Sequence, residues 1–414
     1  MTRATGSGTP TKGSPAEERW VSLASGSSKI PERLLLAHSR GQVLFITGAG
    51  TSRSSGLPDF RQLVVDAYQH LEAATHLVLA APPPSAGTLR AATGLSDKQD
   101  AEITRFDRGD YDVVLGMLER RIDGGSTAPG KVRQRIAEQL RTVPGPSGTA
   151  VRARASPIHR ALIRLADRGA ATTIATTNFD RLLQAASSRR TPTYALGGIP
   201  RPGRRADFAG VLHIHGALSS DASQPSDFVV TDRDFGEFYL RRRVVPDFVY
   251  DAARLFYLVL VGYSANDAPM RYLLNAVAAD GSRFDDLKER FAFVPTPNGS
   301  ELSLEDWQGR GITPIPYDPS SGHVELETTL RRWSELSSIN GDQRKVDALV
   351  KRLVRESRAS TEEPERDLFD HLVRRSSPTE RLRFAALASR AGASFDWLDA
   401  IADVALESDR EPIR

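Results

Sequence analysis

Two glycines that directly follow an apolar run make up the chemically most informative stretch of the sequence. The run Val43–Thr47 is rich in β-branched and aromatic residues, and Gly48, Ala49 and Gly50 come immediately after it. A buried parallel strand that leads into a phosphate-binding turn has this pattern. Glycines there let the backbone approach a pyrophosphate, and a following helix N-terminus offers free N–H groups and a partial positive charge. The stretch therefore predicts a nucleotide site.

Polar residues that could do chemistry recur where three further apolar runs end. They are Asn178 and Asp180 after Thr172–Ala175, His215 near the end of Val211–Gly216, and Ser264 after Leu255–Val261. In parallel α/β sheets ligands bind at the carboxyl ends of the strands, so we expect these side chains to converge. The near-neutral pKa of an ordinary histidine suits His215 to act as a general base. His213 would share its strand face and be structural.

The residues after the two glycines make the motif more specific. A G-x-G-x-x-G fingerprint would require glycine at position 53, where the chain has Arg53. Residues 55–61 read Ser-Gly-Leu-Pro-Asp-Phe-Arg, and residues 176–180 read Thr-Thr-Asn-Phe-Asp. Together these segments resemble the nucleotide-binding motifs of the sirtuin family, which are NAD-consuming enzymes on a Rossmann-like sheet. The second segment departs from the sirtuin Thr-Gln-Asn-Ile-Asp motif at Thr177 and Phe179.

The resemblance implies a role for each matching residue. Asn178 would position a water or acceptor at the ribose C1′, and His215, which precedes Gly216 as the sirtuin catalytic histidine precedes its glycine, would be catalytic. The residues implied to bind NAD are Gly48, Ala49, Gly50, Ser52, Asp59, Phe60, Arg61, Thr177, Asp180, Gly262 and Ser264. Of these, Asp59 would meet the nicotinamide carboxamide and Phe60 would shield the C1′ centre. A plain tight turn at the glycines and a helix cap at Asp180 are the competing interpretations.

Composition limits the remaining function classes. The chain has 414 residues, of which 40% are hydrophobic and 26% are charged, with a net charge of +3, as in an ordinary globular protein without a nucleic-acid signal. No apolar run approaches the roughly 18 residues needed to cross a bilayer. The N-terminus lacks the apolar segment of a signal peptide, so we expect a cytoplasmic location without membrane partners. Because the chain has no cysteine, disulfides, thiolate catalysis and thiolate-bound zinc are excluded.

The absence of cysteine separates the chain from protein-deacylating sirtuins, which hold a zinc ion with four cysteines. The resemblance extends over about residues 30–335. It is closest to the zinc-free sirtuin-like (SIR2-like) domains of prokaryotic antiphage defence proteins, which hydrolyse NAD. NAD would accordingly be a substrate, and no zinc or other metal site is expected.

Strand-like runs that alternate with helical patterns predict an α/β fold, with a Rossmann-like doubly wound parallel sheet. We expect a disordered leader over residues 1–30, which are dominated by Gly, Ser, Thr and Pro. A sirtuin-like NAD-binding catalytic domain would follow over residues 31–338, with a helical insert at about 61–150. Amphipathic helices over residues 339–414 predict a C-terminal all-α domain.

The resemblance implies an NAD glycohydrolase that cleaves NAD to nicotinamide and ADP-ribose and depletes NAD in antiviral defence by abortive infection. Such an activity requires control, either by homo-oligomerisation or by a partner such as a HerA-type ATPase or a phage trigger. The C-terminal helices are the candidate surface. The alternatives are an NAD-dependent protein deacylase or ADP-ribosyltransferase, and a non-enzymatic NAD or ADP-ribose sensor. Asn178 and His215 disfavour the sensor, because a pure binder does not need both.

Overall fold

The computed structural model of the chain describes residues 18–82, 85–124, 130–145, 149–169, 171–203, 208–221, 227–263, 268–280, 287–297 and 302–410. The strands are β1 (Trp20–Ser22), β2 (Lys29–Pro31), β3 (Val43–Thr47), β4 (Thr142–Pro144), β5 (Ala150–Arg152), β6 (Thr173–Thr176), β7 (Thr193–Ala195), β8 (Gly210–His213), β9 (Gly216–Ala217), β10 (Asp227–Phe228), β11 (Tyr257–Val261), β12 (Arg290–Pro295) and β13 (Thr313–Tyr317). Short hairpins are formed by β1 with β2, β4 with β5, and β9 with β10.

The helices of the first half of the chain are α1 (Glu32–Ser39), α2 (Gly50–Arg53), α3 (Phe60–Leu71), α4 (Ala73–Leu79), α5 (Ser85–Ala92), α6 (Asp97–Asp107), α7 (Tyr111–Ile122), α8 (Lys131–Gln139), α9 (Pro157–Ala166) and α10 (Leu182–Ala186). Those of the second half are α11 (Asp232–Phe235), α12 (Val244–Leu255), α13 (Ala268–Asp280), α14 (Leu302–Gln308), α15 (Val324–Ser338), α16 (Gln343–Leu353), α17 (Glu363–Arg375), α18 (Pro378–Arg390) and α19 (Phe395–Arg410). A π-helical segment, Gly236–Arg241, follows α11 directly.

Within the described residues, one parallel sheet of seven strands organises the fold, in the order β13-β12-β11-β3-β6-β8-β7. Its central strands β3, β6 and β8 are buried along their whole length, as expected when helices cover both faces of a parallel sheet. The predicted Rossmann-like α/β fold is thereby confirmed.

The strand register aligns the ends of the central strands. Val261 pairs with Thr47, Thr47 pairs with Thr176, and Thr176 pairs with His213. Since adjacent parallel strands lie about 4.8 Å apart, the turns that follow these four residues must stand side by side at one edge of the sheet. This alignment creates the candidate site.

Two hydrophobic layers cover the sheet. The first contains residues of α1, α9 and α15, and it continues without interruption into the C-terminal helices through Phe369 and Trp397. The second contains residues of α12, α13 and the π-helical segment. A third cluster fills the helical insert and includes Leu63, Val114 and Ile136. The apolar core of helices α16–α19 is therefore continuous with that of the sheet.

The leader predicted to be disordered over residues 1–30 is ordered in its second part. The hairpin of β1 and β2 buries Val21 and Ile30, and the Ser22 N–H donates to Asp367 of α17 at 3.1 Å. The apolar residues Trp20, Val21, Leu23 and Ile30 supply the anchors, and the partner of Ser22 lies 345 residues away in sequence. Composition of the segment alone could not reveal them.

Candidate functional site

The Gly48–Gly50 turn is held by the loop that follows β11. The Gly48 N–H donates to Val261 O at 3.0 Å and the Gly50 N–H donates to Gly262 O at 2.8 Å. A Cβ on Gly50 would lie 2.8 Å from the Gly262 Cα, and Gly262 itself has a φ of +61°. The glycines are therefore required by backbone packing within this chain.

This packing corrects the prediction that α2 presents free N–H groups to a phosphate. Helix α2 has only four residues, and the Thr51 and Ser52 N–H groups donate to Gly48 O and Ala49 O at 3.0 Å each. With Gly50 bonded to Gly262, these amides already have acceptors in the protein. Ser264, predicted to bind the adenosine ribose, lies outside the described residues.

The side chain of Asn178 joins the two predicted motifs. Its Nδ2 donates to Gly48 O at 3.0 Å, Ser52 Oγ at 3.1 Å and Thr51 Oγ1 at 3.2 Å. No hydrogen bond to its Oδ1 occurs within the described ranges. The amide nitrogen is therefore fixed on the glycine turn, and the oxygen is left for a ligand.

Ser52 is the centre of a buried polar network. Its hydroxyl donates to Asp180 Oδ2 at 2.8 Å and lies 3.2 Å from His159 Nε2. Asp180 Oδ1 accepts from the N–H of Leu182, the first residue of α10, at 2.9 Å, so this carboxylate also satisfies an amide at the start of that helix. Both interpretations of Asp180, as a helix cap and as a member of the site, are therefore compatible with its contacts.

The proton positions in this network follow from one backbone amide. The Ser156 N–H donates to His159 Nδ1 at 3.2 Å, and the Ser156 hydroxyl, 2.8 Å from the same nitrogen, can donate to it as well, so Nδ1 is assigned as the unprotonated acceptor. His159 then carries its proton on Nε2 and donates to Ser52 Oγ, which leaves the Ser52 proton to be donated to Asp180. Burial lowers the pKa of His159 to about 4, which keeps the ring neutral. Burial raises the pKa of Asp180, and the bonds from Leu182 and Ser52 oppose that rise.

His159 is not among the site residues predicted from the sequence. The signal available was a histidine three residues after a serine N-cap, where the side chain can reach back to the cap. The contact with Ser52 across 107 residues has no local signature.

His213 and His215 were predicted to share one face of a strand, and this prediction was wrong. Strand β8 ends at His213 and not at Gly216, so the period-two alternation stops before His215. His213 Nδ1 donates to the Asn178 backbone carbonyl at 2.8 Å and its Nε2 contacts Gln184 of α10 at 2.7 Å. His213 therefore supports the Asn178 turn, in line with its expected structural role.

His215 lies against the π-helical segment. Its Nε2 is 2.7 Å from the Tyr239 hydroxyl, and its ring meets that of Phe235 edge-on at a centroid distance of 5.7 Å. The side chain is 6% exposed, and burial lowers the pKa of His215 to about 3. The imidazole is therefore neutral at pH 7, and its pKa lies well below the near-neutral value on which the prediction of a general base rested.

The loop with Asp59, Phe60 and Arg61 faces the helical insert. Asp59 caps α3 by accepting from the Gln62 N–H at 2.8 Å, and the Arg61 guanidinium lies 5.1 Å from the Phe106 ring centroid. Phe60 meets Tyr111 edge-on at 6.1 Å. Within the described ranges no hydrogen bond connects this loop to Asn178 or His215. Thr177, by contrast, is tied to the central sheet, because its N–H and its hydroxyl both donate to Thr47 O.

The family model of the SIR2-like domain matches residues 172–315, a range that contains Asn178 and His215. The chain contains a sirtuin-like domain. The glycine turn lies outside the matched range, but the hydrogen bonds of Asn178 attach it to the domain.

A curated relative is the uncharacterized protein y4cA of Sinorhizobium fredii, which is 33% identical over 303 residues. The alignment covers 71% of this chain and 22% of the relative, so the chain spans about a fifth of the relative's length. Among solved structures, the chain is similar to a Sir2 homologue in complex with NAD, with 16% identity, a TM-score of 0.34, and coverage of 75% of this chain and 95% of the other. Sir2 bound to an acetylated peptide gives 14% identity, a TM-score of 0.34, and coverage of 75% and 100%.

The described residues contain neither a metal-binding cluster nor a membrane-spanning helix. No group of three or more His, Cys, Asp or Glu side chains is arranged there to hold a metal ion. Among the same residues, no helix combines the length and apolar character needed to cross a membrane.

Proposed function

We propose that the sirtuin-like domain is an NAD glycohydrolase, which cleaves NAD to nicotinamide and ADP-ribose. The observation that carries the proposal is the three-way hydrogen bonding of the Asn178 amide to Gly48, Thr51 and Ser52. It brings together two motifs separated by about 130 residues, at the sheet edge where parallel α/β folds bind ligands. The match of residues 172–315 to the SIR2-like domain supports the same conclusion.

The reaction needs little help at its leaving group. The bond between the ribose C1′ and the pyridinium nitrogen breaks, its electron pair goes to the ring, and nicotinamide leaves as a neutral molecule. Water forms the new bond at C1′ and loses its proton. The enzyme must therefore hold the substrate, place the water and stabilise a positively charged C1′ centre.

Asn178 is the residue that we assign to the water. Because Nδ2 is held by the glycine turn, Oδ1 is a hydrogen-bond acceptor in a fixed position at the sheet edge. His215, neutral because burial lowers its pKa, would accept a proton from a ribose hydroxyl or from the water. Asp59 and Phe60 would form the nicotinamide side, Arg61 would lie near the phosphates, and the turns with Ala49, Thr177 and Gly262 would shape the floor.

NAD consumption by the purified protein tests the proposal, with nicotinamide and ADP-ribose quantified. We expect stoichiometric formation of both products by the wild type and loss of at least about 100-fold in kcat for Asn178→Ala and His215→Ala. The matched controls are Asn340→Ala and His70→Ala, which change exposed side chains that are not assigned to the site. Turnover that survives in both site variants would refute the assignment.

The same assay separates the alternatives. Release of nicotinamide only when an acylated peptide is present would indicate a deacylase, and transfer of ADP-ribose to protein would indicate a transferase. Binding of NAD without any product would indicate a sensor.

The biological role that we infer is depletion of cytoplasmic NAD in antiviral defence, without a need for zinc. Control would come from homo-oligomerisation or from a partner such as a HerA-type ATPase or a phage protein. Cellular NAD measured during phage infection, with wild-type protein or with Asn178→Ala, tests this role. Equal NAD levels in the two strains would refute it.

A further inference from the structure

Tyr239 makes a specific contact with the proposed catalytic histidine. Its hydroxyl lies 2.7 Å from His215 Nε2, and both side chains are almost fully buried, at 4% and 6% exposure. The rings of Phe235, Tyr239 and His215 pack on one another with centroid distances of 5.3 to 5.8 Å. The contact between Tyr239 and His215 is therefore shielded from bulk solvent, and ring packing limits the orientation of both side chains.

The backbone places Tyr239 there by an uncommon device. Residues 236–241 form a π-helical segment, a conformation that is rare and is concentrated at functional sites. Tyr239 points inward from this segment, whereas the adjacent Leu240 is 78% exposed. On the outside, Arg241 pairs with Glu237 one turn earlier.

The main chain of His215 is also fixed. Its carbonyl accepts from the Val229 N–H at 2.8 Å, and the next residue, Gly216, begins the hairpin of β9 and β10. With the backbone held, the remaining freedom of His215 is the orientation of its ring and the choice of the nitrogen that carries the proton. The Tyr239 hydroxyl acts on both.

We propose that Tyr239 is a positioning residue, which accepts a hydrogen bond from His215 Nε2–H and so leaves Nδ1 unprotonated as the basic nitrogen. The inference rests on the proposed function. Within the described residues His215 Nδ1 has no hydrogen-bond partner, so Nδ1 is the ring nitrogen left for a substrate hydroxyl. A base must have a free lone pair on Nδ1. The single proton of a neutral imidazole is then on Nε2, and this N–H can donate a hydrogen bond to the Tyr239 hydroxyl oxygen.

The kinetic test is Tyr239→Phe, which removes one oxygen and keeps the ring packing. We expect kcat for NAD hydrolysis to fall about tenfold, the factor that corresponds to one hydrogen bond of about 1.4 kcal/mol, with KM unchanged. Tyr257→Phe, a hydroxyl deletion on β11, should retain wild-type kcat. Unchanged turnover in Tyr239→Phe would overturn the inference. A rise in turnover would also overturn it, because it would mean that Tyr239 blocks His215.

A spectroscopic test does not depend on activity. In ¹⁵N NMR of histidine-labelled protein, with the His215 signals assigned by their loss in His215→Ala, the wild type should show a protonated Nε2 and an unprotonated Nδ1. Tyr239→Phe should show a mixture of the two tautomers. A wild-type proton on Nδ1 would overturn the inference even if the protein hydrolyses NAD. If the wild type hydrolyses no NAD, the proposed function fails, and the tautomer still decides whether Tyr239 orients His215.

Discussion

Replacing Asp180 by asparagine tests the direction of every hydrogen bond in the Ser52 network. The substitution is almost isosteric, but it turns an acceptor into a donor at the atom that faces Ser52. Ser52 Oγ would then face three donors, from Asn178, His159 and the new amide, while its own proton would have no acceptor. His159 cannot relieve the conflict by moving its proton to Nδ1, because the Ser156 N–H already points at that nitrogen.

The magnitude follows from the groups that lose a partner. A hydrogen bond to a charged acceptor contributes about 1.5–3 kcal/mol, and a buried donor without an acceptor costs about 1–3 kcal/mol. Removing the buried carboxylate recovers part of this, because burial penalises its charge, as the raised pKa of Asp180 indicates. We therefore expect Asp180→Asn to lower the free energy of unfolding by about 2–4 kcal/mol.

Guanidinium chloride unfolding at pH 8, followed by circular dichroism, measures this loss. The control is Asp403→Asn, at an exposed aspartate of α19, whose substitution should leave the unfolding midpoint unchanged. Ser52→Ala removes the conflict in Asp180→Asn, so the double variant should cost at least about 1 kcal/mol less than the sum of the single variants. An Asp180→Asn variant as stable as the wild type, or strictly additive losses, would refute the proton assignment.

Two further predictions concern the glycine turn and the buried histidines. Gly262→Ala should lower the free energy of unfolding by at least about 2 kcal/mol, because the residue has a positive φ and the new Cβ would lie 2.5 Å from Thr51 N. Gly87→Ala, in open space on α5, should instead be neutral or stabilising by up to about 1 kcal/mol, and an equal response of the two glycines would contradict the packing. The folded-state pKa values of His159 and His213 are about 4, below the unfolded value, so the unfolded state binds more protons and stability falls as the pH drops from 6.5 towards 4. Each histidine contributes up to about 3 kcal/mol over this range, and a free energy of unfolding that does not change between pH 7 and 5 would contradict their burial as neutral rings.

The sequence-based prediction located the main strands of the sheet because continuous apolar runs mark buried parallel strands. Val43–Thr47 is β3 as predicted, and the strands expected from the apolar runs near residues 172, 211 and 255 are all present with shifted ends. The edge strand β7 was missed because it has three residues, each only half-buried. Without a long apolar run, pairing with β8 decides its conformation.

Several residues of the candidate site could be predicted from sequence motifs, but the residues that contact them from other elements could not. Asn178, Ser52 and Asp180 were each recognised from motifs, and their hydrogen bonds to one another follow from strand register, which brings Thr47 beside Thr176. The partners His159 and Tyr239 could not be found in this way. His159 lies 107 positions from Ser52 and Tyr239 lies 24 positions from His215, and no motif connects the members of either pair. The interpretation of the glycine turn as a phosphate cradle stays a prediction, and the sequence did not reveal that the turn packs against the loop at Gly262.

The two halves of the candidate site depend on different layers of the protein. His159 anchors the Asn178 network from α9, whose apolar face belongs to the layer shared with the C-terminal helices. Tyr239 anchors His215 from the opposite layer, with α12 and α13. A strain applied through the C-terminal helices is therefore transmitted by packing to the Asn178 side and not directly to His215. For the proposed hydrolase, control exerted on those helices would act first on the placement of the water and not on the base, because a close-packed layer transmits strain to the residues packed in it.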